Sequence, residues 1–341
     1  FISMGILYIS LAITFLVLLI LNLAWIIVNL YMFVVHGIES IVTGQTLIEN
    51  IYYSTFLKWI ILLDVIWIGI ALLYAATRKN YRTDPEQYYF KKKPLDDRTT
   101  CIVIPTYNEE LAIGNLVTDF LKRENVKHVI VVDNNSVDNT VEIAKKSGAI
   151  VIKNEKNMGL AYSCVIGLKK SLNYDVGSVT LVEGDGTFVT DDLDKMIPYL
   201  EDGDMVVGTR VVQVLSEKGT QLGTLHVWGN YILAKLIQLK FFSLSHIGSV
   251  SLTDVGCIYR VIRKDALEKI VDKLIDQRDG SVIPNYEIAL SLTVEALKEN
   301  LRLVEIPIIF KRRIGQSKIQ SQKKLKAMRI GFIFLWYILK S

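Results

Sequence analysis

Residues 101–110 read Cys-Ile-Val-Ile-Pro-Thr-Tyr-Asn-Glu-Glu, a short β-rich apolar run that ends at a proline and gives way to polar residues. The same phrase recurs three times. Val-Ile-Val-Val at 129–132 runs into Asp133-Asn134-Asn135-Ser136, Ile-Val-Ile at 150–152 precedes the polar stretch 154–159, and the run ending at Val182 meets Glu183-Gly184-Asp185-Gly186-Thr187. Between these runs the apolar spacing turns helical, so 110–122, 138–146, 158–172 and 191–200 read as helices, with a further strand at 205–207. Strands alternating with helices of about 10–15 residues imply βαβ units and a mostly parallel sheet. Ligands on such sheets sit at the carboxyl ends of the strands. The four polar clusters fall at four consecutive strand ends, which points to an active site there.

Upstream of this unit the composition changes. Residues 1–38 contain no Asp, Glu, Lys or Arg, and a second apolar run at 59–76 is interrupted only by Asp64. As one helix, the first run would be roughly 57 Å long, against a hydrocarbon core of about 30 Å. It supplies one span with an overhang, or a span with a break. A removable signal peptide would be shorter, with a basic start and a small-residue cleavage site. Two transmembrane helices are therefore expected, with residues 1–76 as an anchor. The charges set the orientation. Glu39, Glu49 and Lys58 lie between the spans, whereas Arg78, Lys79, Arg82, Lys91, Lys92, Lys93 and Arg98 follow the second. The basic side is normally cytoplasmic, so everything after residue 76 is expected on that side. An intramembrane Asp64 is either functional or reaches water near the end of its span.

Residues 77–100 are polar, with Pro85 and Pro94, and read as a linker. Residues 101–322 are expected to form the domain that holds this site. Its later half is less regular, with helices expected at 226–242 and 284–297 and one or two strands in 301–310. Residues 323–341 end in an apolar stretch at 330–339, too short to span a bilayer. Arg329 and Lys340 flank it and Trp336 and Tyr337 lie inside, which suits a helix in the membrane interface or an ordinary core helix. The chain of 341 residues is 51% hydrophobic with a net charge of only +4, which gives nucleic-acid binding no global support. Residues 306–341, however, hold nine Lys or Arg and no acidic residue, suited to a phosphate ligand or an anionic membrane surface. Cys101, Cys164 and Cys257 are scattered without metal-type spacing and read as reduced thiols.

Three motifs are specific as a set: Ile104-Pro105-Thr106-Tyr107-Asn108-Glu109-Glu110, Val132-Asp133-Asn134-Asn135-Ser136 and Val182-Glu183-Gly184-Asp185-Gly186. In order and spacing they resemble the motifs of family 2 glycosyltransferases with the GT-A fold. The subgroup they resemble most is that of the dolichyl-phosphate mannose or glucose synthases. The resemblance covers about residues 100–320. It implies a Rossmann-like α/β domain, a nucleotide-sugar donor, a polyprenyl (dolichyl) phosphate acceptor and a Mn2+ or Mg2+ ion. A nucleotide diphosphate concentrates negative charge, and a hard cation with oxygen ligands neutralises it. Glu183 and Asp185, one residue apart at a strand end, can reach one ion. The family has Asp at the first position, so Glu183 is a departure. Thr187 stands where the synthases carry a further polar ligand.

By the same resemblance Pro105, Tyr107, Glu109 and Asp133 cradle the nucleoside; Asp133 and Ser136 equally suit a cap for the following helix. Asn157-Met158-Gly159 matches the family's Asn-x-Gly, but Leu160 replaces the usual Lys. Arg210 in Val207-Gly208-Thr209-Arg210 corresponds to the Arg that faces the phosphates. Residues 253–260 resemble the segment that contains Asp254, with Ile258 where the family has Gly. Arg312 and Lys318, in Arg-x-x-Gly-x-Ser-Lys, are candidates for holding the lipid phosphate or the diphosphate, since Arg pairs with phosphate through two parallel hydrogen bonds. Asp185, Arg210, Asp254 and Arg312 form the expected catalytic set. A hydroxyl acceptor needs a general base, a role open to Asp254; a lipid phosphate is already anionic and needs none. The alternatives are a membrane-tethered transferase with a non-lipid acceptor and an inactive nucleotide-sugar binder. A processive polysaccharide synthase would carry Gln-x-x-Arg-Trp, which is absent. A homo-oligomer is left open.

Overall fold

The computed structural model describes residues 4–43, 55–77, 94–211, 216–217, 220, 223–242, 250–275, 281–282, 287–315 and 324–341. Most of the expected linker, together with Lys318, lies outside them. The chain divides near residue 80 into two compact units.

The first unit is a pair of helices, α1 (Met4–Thr43) and α2 (Thr55–Thr77). The stretches Leu7–Met32 and Leu57–Ala76 are long and apolar enough to cross a membrane, and only 17% and 11% of their strongest windows are buried. A core helix of a soluble protein would be mostly covered, whereas here Ile20, Ile27, Leu30 and Trp59 are all more than 60% exposed. The two helices meet through Tyr8 on Tyr74 and Phe15 on Trp67, with ring centroids 5.8 and 5.6 Å apart. Trp67 Nε1 donates to the Leu11 carbonyl at 3.0 Å. Asp64, half-buried, accepts from Asn22 Nδ2 at 3.4 Å across the hairpin. The first run forms one helix without a break over Met4–Thr43.

The second unit is built on β1 (Thr100–Thr106), β2 (Val126–Asp133), β3 (Ile150–Lys153), β4 (Ser178–Leu181), β5 (Met205–Thr209), β6 (Arg260–Arg263) and β7 (Leu303–Pro307). Among the described residues these form one sheet in the order β3-β2-β1-β4-β6-β5-β7. β1, β2, β3 and β4 are parallel, and β5 is parallel to β7, but β6 runs antiparallel to both β4 and β5. Sequence reading places no strand at β6, because two arginines stand in its four residues. Both are buried. Arg260 donates to the Cys257 carbonyl at 2.6 Å and to Thr293 Oγ1 at 3.3 Å, and Arg263 to the carbonyls of Leu200 and Pro94. These bonds make a buried charge tolerable.

Helices α3 (Ile113–Leu121), α4 (Thr140–Lys146) and α5 (Leu160–Ser171) connect the first strands. α3 buries Ile113, Leu116, Val117 and Phe120, the spacing of one helical face. It starts three residues later than the apolar pattern suggests, because the backbone at Asn108 takes a left-handed φ of 54° and spends the next residues in a turn. α4 likewise starts at Thr140, whose N–H is taken by the Asp138 carboxylate at 3.1 Å. α5 lies very close to the sheet: a Cβ at Gly167 would come within 2.4 Å of Val103 Cγ1. α6 (Asp192–Met196) passes into a 3₁₀ turn at Ile197–Glu201 containing Pro198. α7 (Thr224–Lys240), α8 (Lys264–Ile270), α9 (Ile288–Lys298) and α10 (Lys324–Lys340) complete the described helices. α10 buries Phe334 and Ile338, and Lys240 Nζ donates to the Ile338 carbonyl at 2.6 Å, while Met328, Phe332 and Trp336 stay exposed on another side. The three cysteines are free and buried.

Candidate active site

β1 has β2 on one side and β4 on the other, so the connections leave β1 and β4 in opposite directions and open a crevice at their carboxyl ends. A cavity of about 340 Å³ lies there. All four polar clusters contribute to its lining: Thr106, Tyr107 and Glu109 after β1, Asn134 after β2, Asn157 and Gly159 after β3, and Glu183, Gly184 and Asp185 after β4. Pro105, Leu160, Ser163 and Arg313 complete it.

Short polar side chains hold these loops in place. Asn134 Nδ2 donates to Asn157 Oδ1 at 2.8 Å, and Asn134 Oδ1 accepts from Met158 N at 2.8 Å and from Asn154 Nδ2 at 3.1 Å. Asn108 N donates to Ser136 Oγ at 2.8 Å, and Val137 N donates back to Asn108 Oδ1 at 2.9 Å. Three loops are thus bonded to one another by side chains. Asp133 is fully buried behind them. Its Oδ2 accepts from Ser136 N at 3.0 Å, whereas Oδ1 has no partner among the described residues. An unpaired buried carboxylate oxygen costs free energy, and Asp133, expected at the nucleoside, does not line the cavity. The Asp133 side chain closes its own turn, and the Thr140 amide at the start of α4 is taken by Asp138 instead.

The acidic turn carries most of the charge. Asp185 is 4% exposed and Glu109 7%. Asp185 Oδ1 accepts from the Thr187 amide at 3.0 Å and from its hydroxyl at 2.6 Å, so Thr187 orients the carboxylate from behind and does not enter the cavity. Gly186 takes a φ of 75° against Ile314, which turns the chain back under the strap formed by residues 308–315. Lys311 N donates to the Thr187 carbonyl at 2.8 Å and Ile314 N to the Asp185 carbonyl at 3.0 Å. From this strap Arg313 reaches inward, pairing with Asp185 Oδ2 at 2.9 Å and with Glu109 Oε1. Glu183, half-buried, has its carboxyl pushed up to about 7 by burial and then by the charge of Asp185, against the pull of Arg210 and Arg313.

The expected residues do not all converge. Pro105, Tyr107, Glu109, Asn157, Gly159, Glu183 and Asp185 do. Arg312 is exposed, with its amide on Glu217 Oε2 at 3.0 Å, and its neighbour Arg313 enters instead. An extended strap presents alternate residues to opposite sides, and a motif match does not decide which of two adjacent arginines points inward. Asp254 is fully buried and gripped by Arg210 through Nε at 2.7 Å and Nη2 at 2.9 Å. Glu305 braces this pair by accepting from the amides of Thr253 and Asp254 at 3.0 and 2.9 Å. Arg210 also lies over the Phe310 ring, 5.1 Å from its centroid. With both oxygens on a guanidinium, Asp254 is not placed to take a proton from an acceptor. Arg313, Asn134 and Ser163 are lining residues not chosen from the sequence; the only signal for Arg313 was its place in the basic motif.

The sequence pattern of glycosyl transferase family 2 matches residues 101–271. The chain belongs to that family. It is a glycosyltransferase, and its mixed, mostly parallel sheet with the cavity at the strand ends is the GT-A arrangement. This family 2 enzyme is 29% identical over 233 residues to UDP-N-acetylglucosamine–dolichyl-phosphate N-acetylglucosaminyltransferase of Methanococcus voltae, covering 63% of the chain and 86% of the relative. It is 26% identical over 237 residues to polyprenol monophosphomannose synthase of Mycolicibacterium smegmatis, covering 67% and 84%. Among solved structures it resembles glucosyl-3-phosphoglycerate synthase of Mycobacterium tuberculosis, crystallised with Mn2+, UDP-glucose and phosphoglyceric acid. The TM-score is 0.50 at 15% identity, over 71% of this chain and 80% of that one; this likeness concerns the fold.

Among the described residues no three His, Cys, Asp or Glu side chains are arranged to hold a metal by themselves. A hard divalent ion bound together with a diphosphate needs only one or two protein carboxylates. The family 2 enzyme offers the oxygen ligands of Glu183 and Asp185 at the cavity, with Glu109 beside them. The residues present fit such an ion.

Proposed function

We propose that this family 2 enzyme is a metal-dependent, inverting transferase that moves a hexose from a UDP- or GDP-linked donor to a polyprenyl (dolichyl) phosphate at the cytoplasmic membrane face. The observation that carries the reading is the gathering of Glu109, Glu183, Asp185 and Arg313 in one cavity at the ends of β1 and β4. The relatives whose names specify dolichyl phosphate and polyprenol products support the acceptor class. The two apolar helices, read as the anchor of residues 1–76, support delivery of the site to a lipid, and the basic residues after α2 support the cytoplasmic side. The exposed Met328, Phe332 and Trp336 of α10 suit contact with the same surface.

The parts have distinct tasks. A Mn2+ or Mg2+ ion at Glu183 and Asp185 would neutralise the diphosphate as it leaves. Tyr107 and Pro105 line the nucleoside side, and Asp133 holds the turn behind them through the Ser136 amide. Arg313 supplies a guanidinium between the carboxylates and the phosphates. Arg210, held rigid by Asp254, keeps a fixed positive charge near Glu183. The acceptor phosphate attacks as an anion, which agrees with the engagement of Asp254 by Arg210. The work left to the protein is to position two phosphorylated reactants and offset their repulsion.

The test is to incubate the membrane-embedded enzyme with labelled UDP- and GDP-hexoses, Mn2+ or Mg2+, and a polyprenyl phosphate. An organic-extractable glycolipid, formed only with metal, is expected. Label passing only to a soluble phosphorylated acceptor would reassign the acceptor. Nucleotide binding without transfer to either would contradict enzymatic turnover of these donors.

A further inference from the structure

Asp185 has two carboxylate oxygens, and each is engaged. Thr187 donates twice to Oδ1, and Arg313 holds Oδ2 at 2.9 Å while its other terminal nitrogen holds Glu109. A divalent cation entering from the cavity therefore meets a guanidinium on the oxygen that Thr187 leaves open. Two cations a few ångströms apart in a partly buried site repel strongly. Sharing Oδ2 between them is therefore unfavourable, and the repulsion falls when one of them moves.

The strap determines which part moves. The backbone on both sides of Arg313 is bonded to the acidic turn, through Lys311 N and Ile314 N. Phe310 packs on Phe188 with ring centroids 5.4 Å apart. The side chain can swing while its Cα stays at the rim of the cavity. Arg313 Nε is buried and has no partner among the described residues, so the guanidinium is not saturated by the two carboxylates. A planar fork with a donor to spare matches a phosphate. A nucleoside diphosphate in this cavity offers that phosphate, as the metal takes the carboxylate.

We infer that Arg313 is a resident counter-cation whose transfer from Asp185 to the donor diphosphate makes metal binding and nucleotide binding depend on each other. This rests on the reading above that the site takes a divalent cation and a nucleoside diphosphate. Each ligand removes the obstacle to the other, and such coupling is reciprocal. The metal alone binds weakly because it displaces Arg313 into an empty cavity. With a diphosphate present the displaced charge is received. A guanidinium that merely locks the acidic turn would behave in the opposite way, because its removal would loosen the turn and weaken metal binding.

The experiment titrates Mn2+ by electron paramagnetic resonance into the full chain in detergent, alone and with UDP or GDP. Four proteins are compared: the unaltered enzyme, Arg313→Ala, Arg313→Gln and Lys311→Ala. The unaltered enzyme is expected to bind Mn2+ roughly tenfold more tightly when nucleotide is present. Both Arg313 variants should bind Mn2+ alone about tenfold more tightly than the unaltered enzyme, with the nucleotide enhancement reduced by a similar factor. The glutamine keeps a hydrogen bond to the carboxylates should the alanine variant fail to fold. Lys311→Ala removes the same charge from the exposed side of the strap and should leave the Mn2+ affinity unchanged. Unchanged or weaker Mn2+ binding in the Arg313 variants overturns the inference, as does an equal gain in Lys311→Ala. Failure of all four proteins to bind Mn2+, even with nucleotide, defeats the functional reading and this inference with it.

Discussion

Two arginine–carboxylate systems stand beside the same cavity and are built differently. Arg210 grips Asp254 in a two-point pair, with Asp254 fully buried and its turn braced by Glu305. Arg313 spans Glu109 and Asp185 from a strap at the cavity edge, lines the cavity itself, and has its Nε without a partner among the described residues. The first pair has nowhere to go and serves as a fixed charge. The second lines the cavity and can exchange partners. The two arginines are equally covered, so the bracing of the carboxylate and the place of the pair relative to the cavity separate a structural ion pair from a working one.

Three predictions bear on that contrast. Asp254→Ala, the largest, would leave the largely covered Arg210 guanidinium without its carboxylate, at a cost of about 3 kcal/mol. A fall in melting temperature on the order of 10 °C is expected. A melt like that of the unaltered protein would mean that Arg210 is not locked. Asp185→Ala should act the other way round. Transfer should fall about a thousandfold, or roughly 4 kcal/mol, with folding retained by circular dichroism. Full transfer activity in that variant would remove Asp185 from the metal site.

The third prediction concerns pH and is smaller. Glu183 has its carboxyl raised from 4.5 to about 7 by burial and then by Asp185, so the ligand-free fold favours the protonated form. That contribution to stability is full below about 4.5 and is lost as pH rises through about 7. Metal binding needs the carboxylate, so Mn2+ affinity should rise up to tenfold per pH unit between about 5 and 7 and level off above. Glu183→Gln should flatten the profile. A profile that stays equally steep in that variant assigns the proton to another group.

The halves of the sheet differed in legibility for physical reasons. β1, β2 and β4 carry apolar runs buried on both faces, β3 at the sheet edge a half-buried one, and polar clusters follow all four, so strand, turn and ligand-facing cluster could be read from the sequence. β6 could not. Arg260 and Arg263 break its apolar pattern, and their burial depends on carbonyls of residues 257, 200 and 94, partners that only the folded chain brings near. The site followed the same rule. Glu109, Glu183 and Asp185 follow from their strand ends. The choice of Arg313 over Arg312, and the engagement of Asp254, depend on how the strap and the 253–256 turn pack in three dimensions.

The most direct test is to locate Mn2+ by anomalous scattering in crystals grown with the metal and UDP or GDP. The account predicts a peak within bonding distance of an Asp185 carboxylate oxygen, with the Arg313 guanidinium turned from Asp185 toward the diphosphate. Nucleotide in the cavity with Arg313 still on Asp185, and the metal elsewhere or absent, would contradict it.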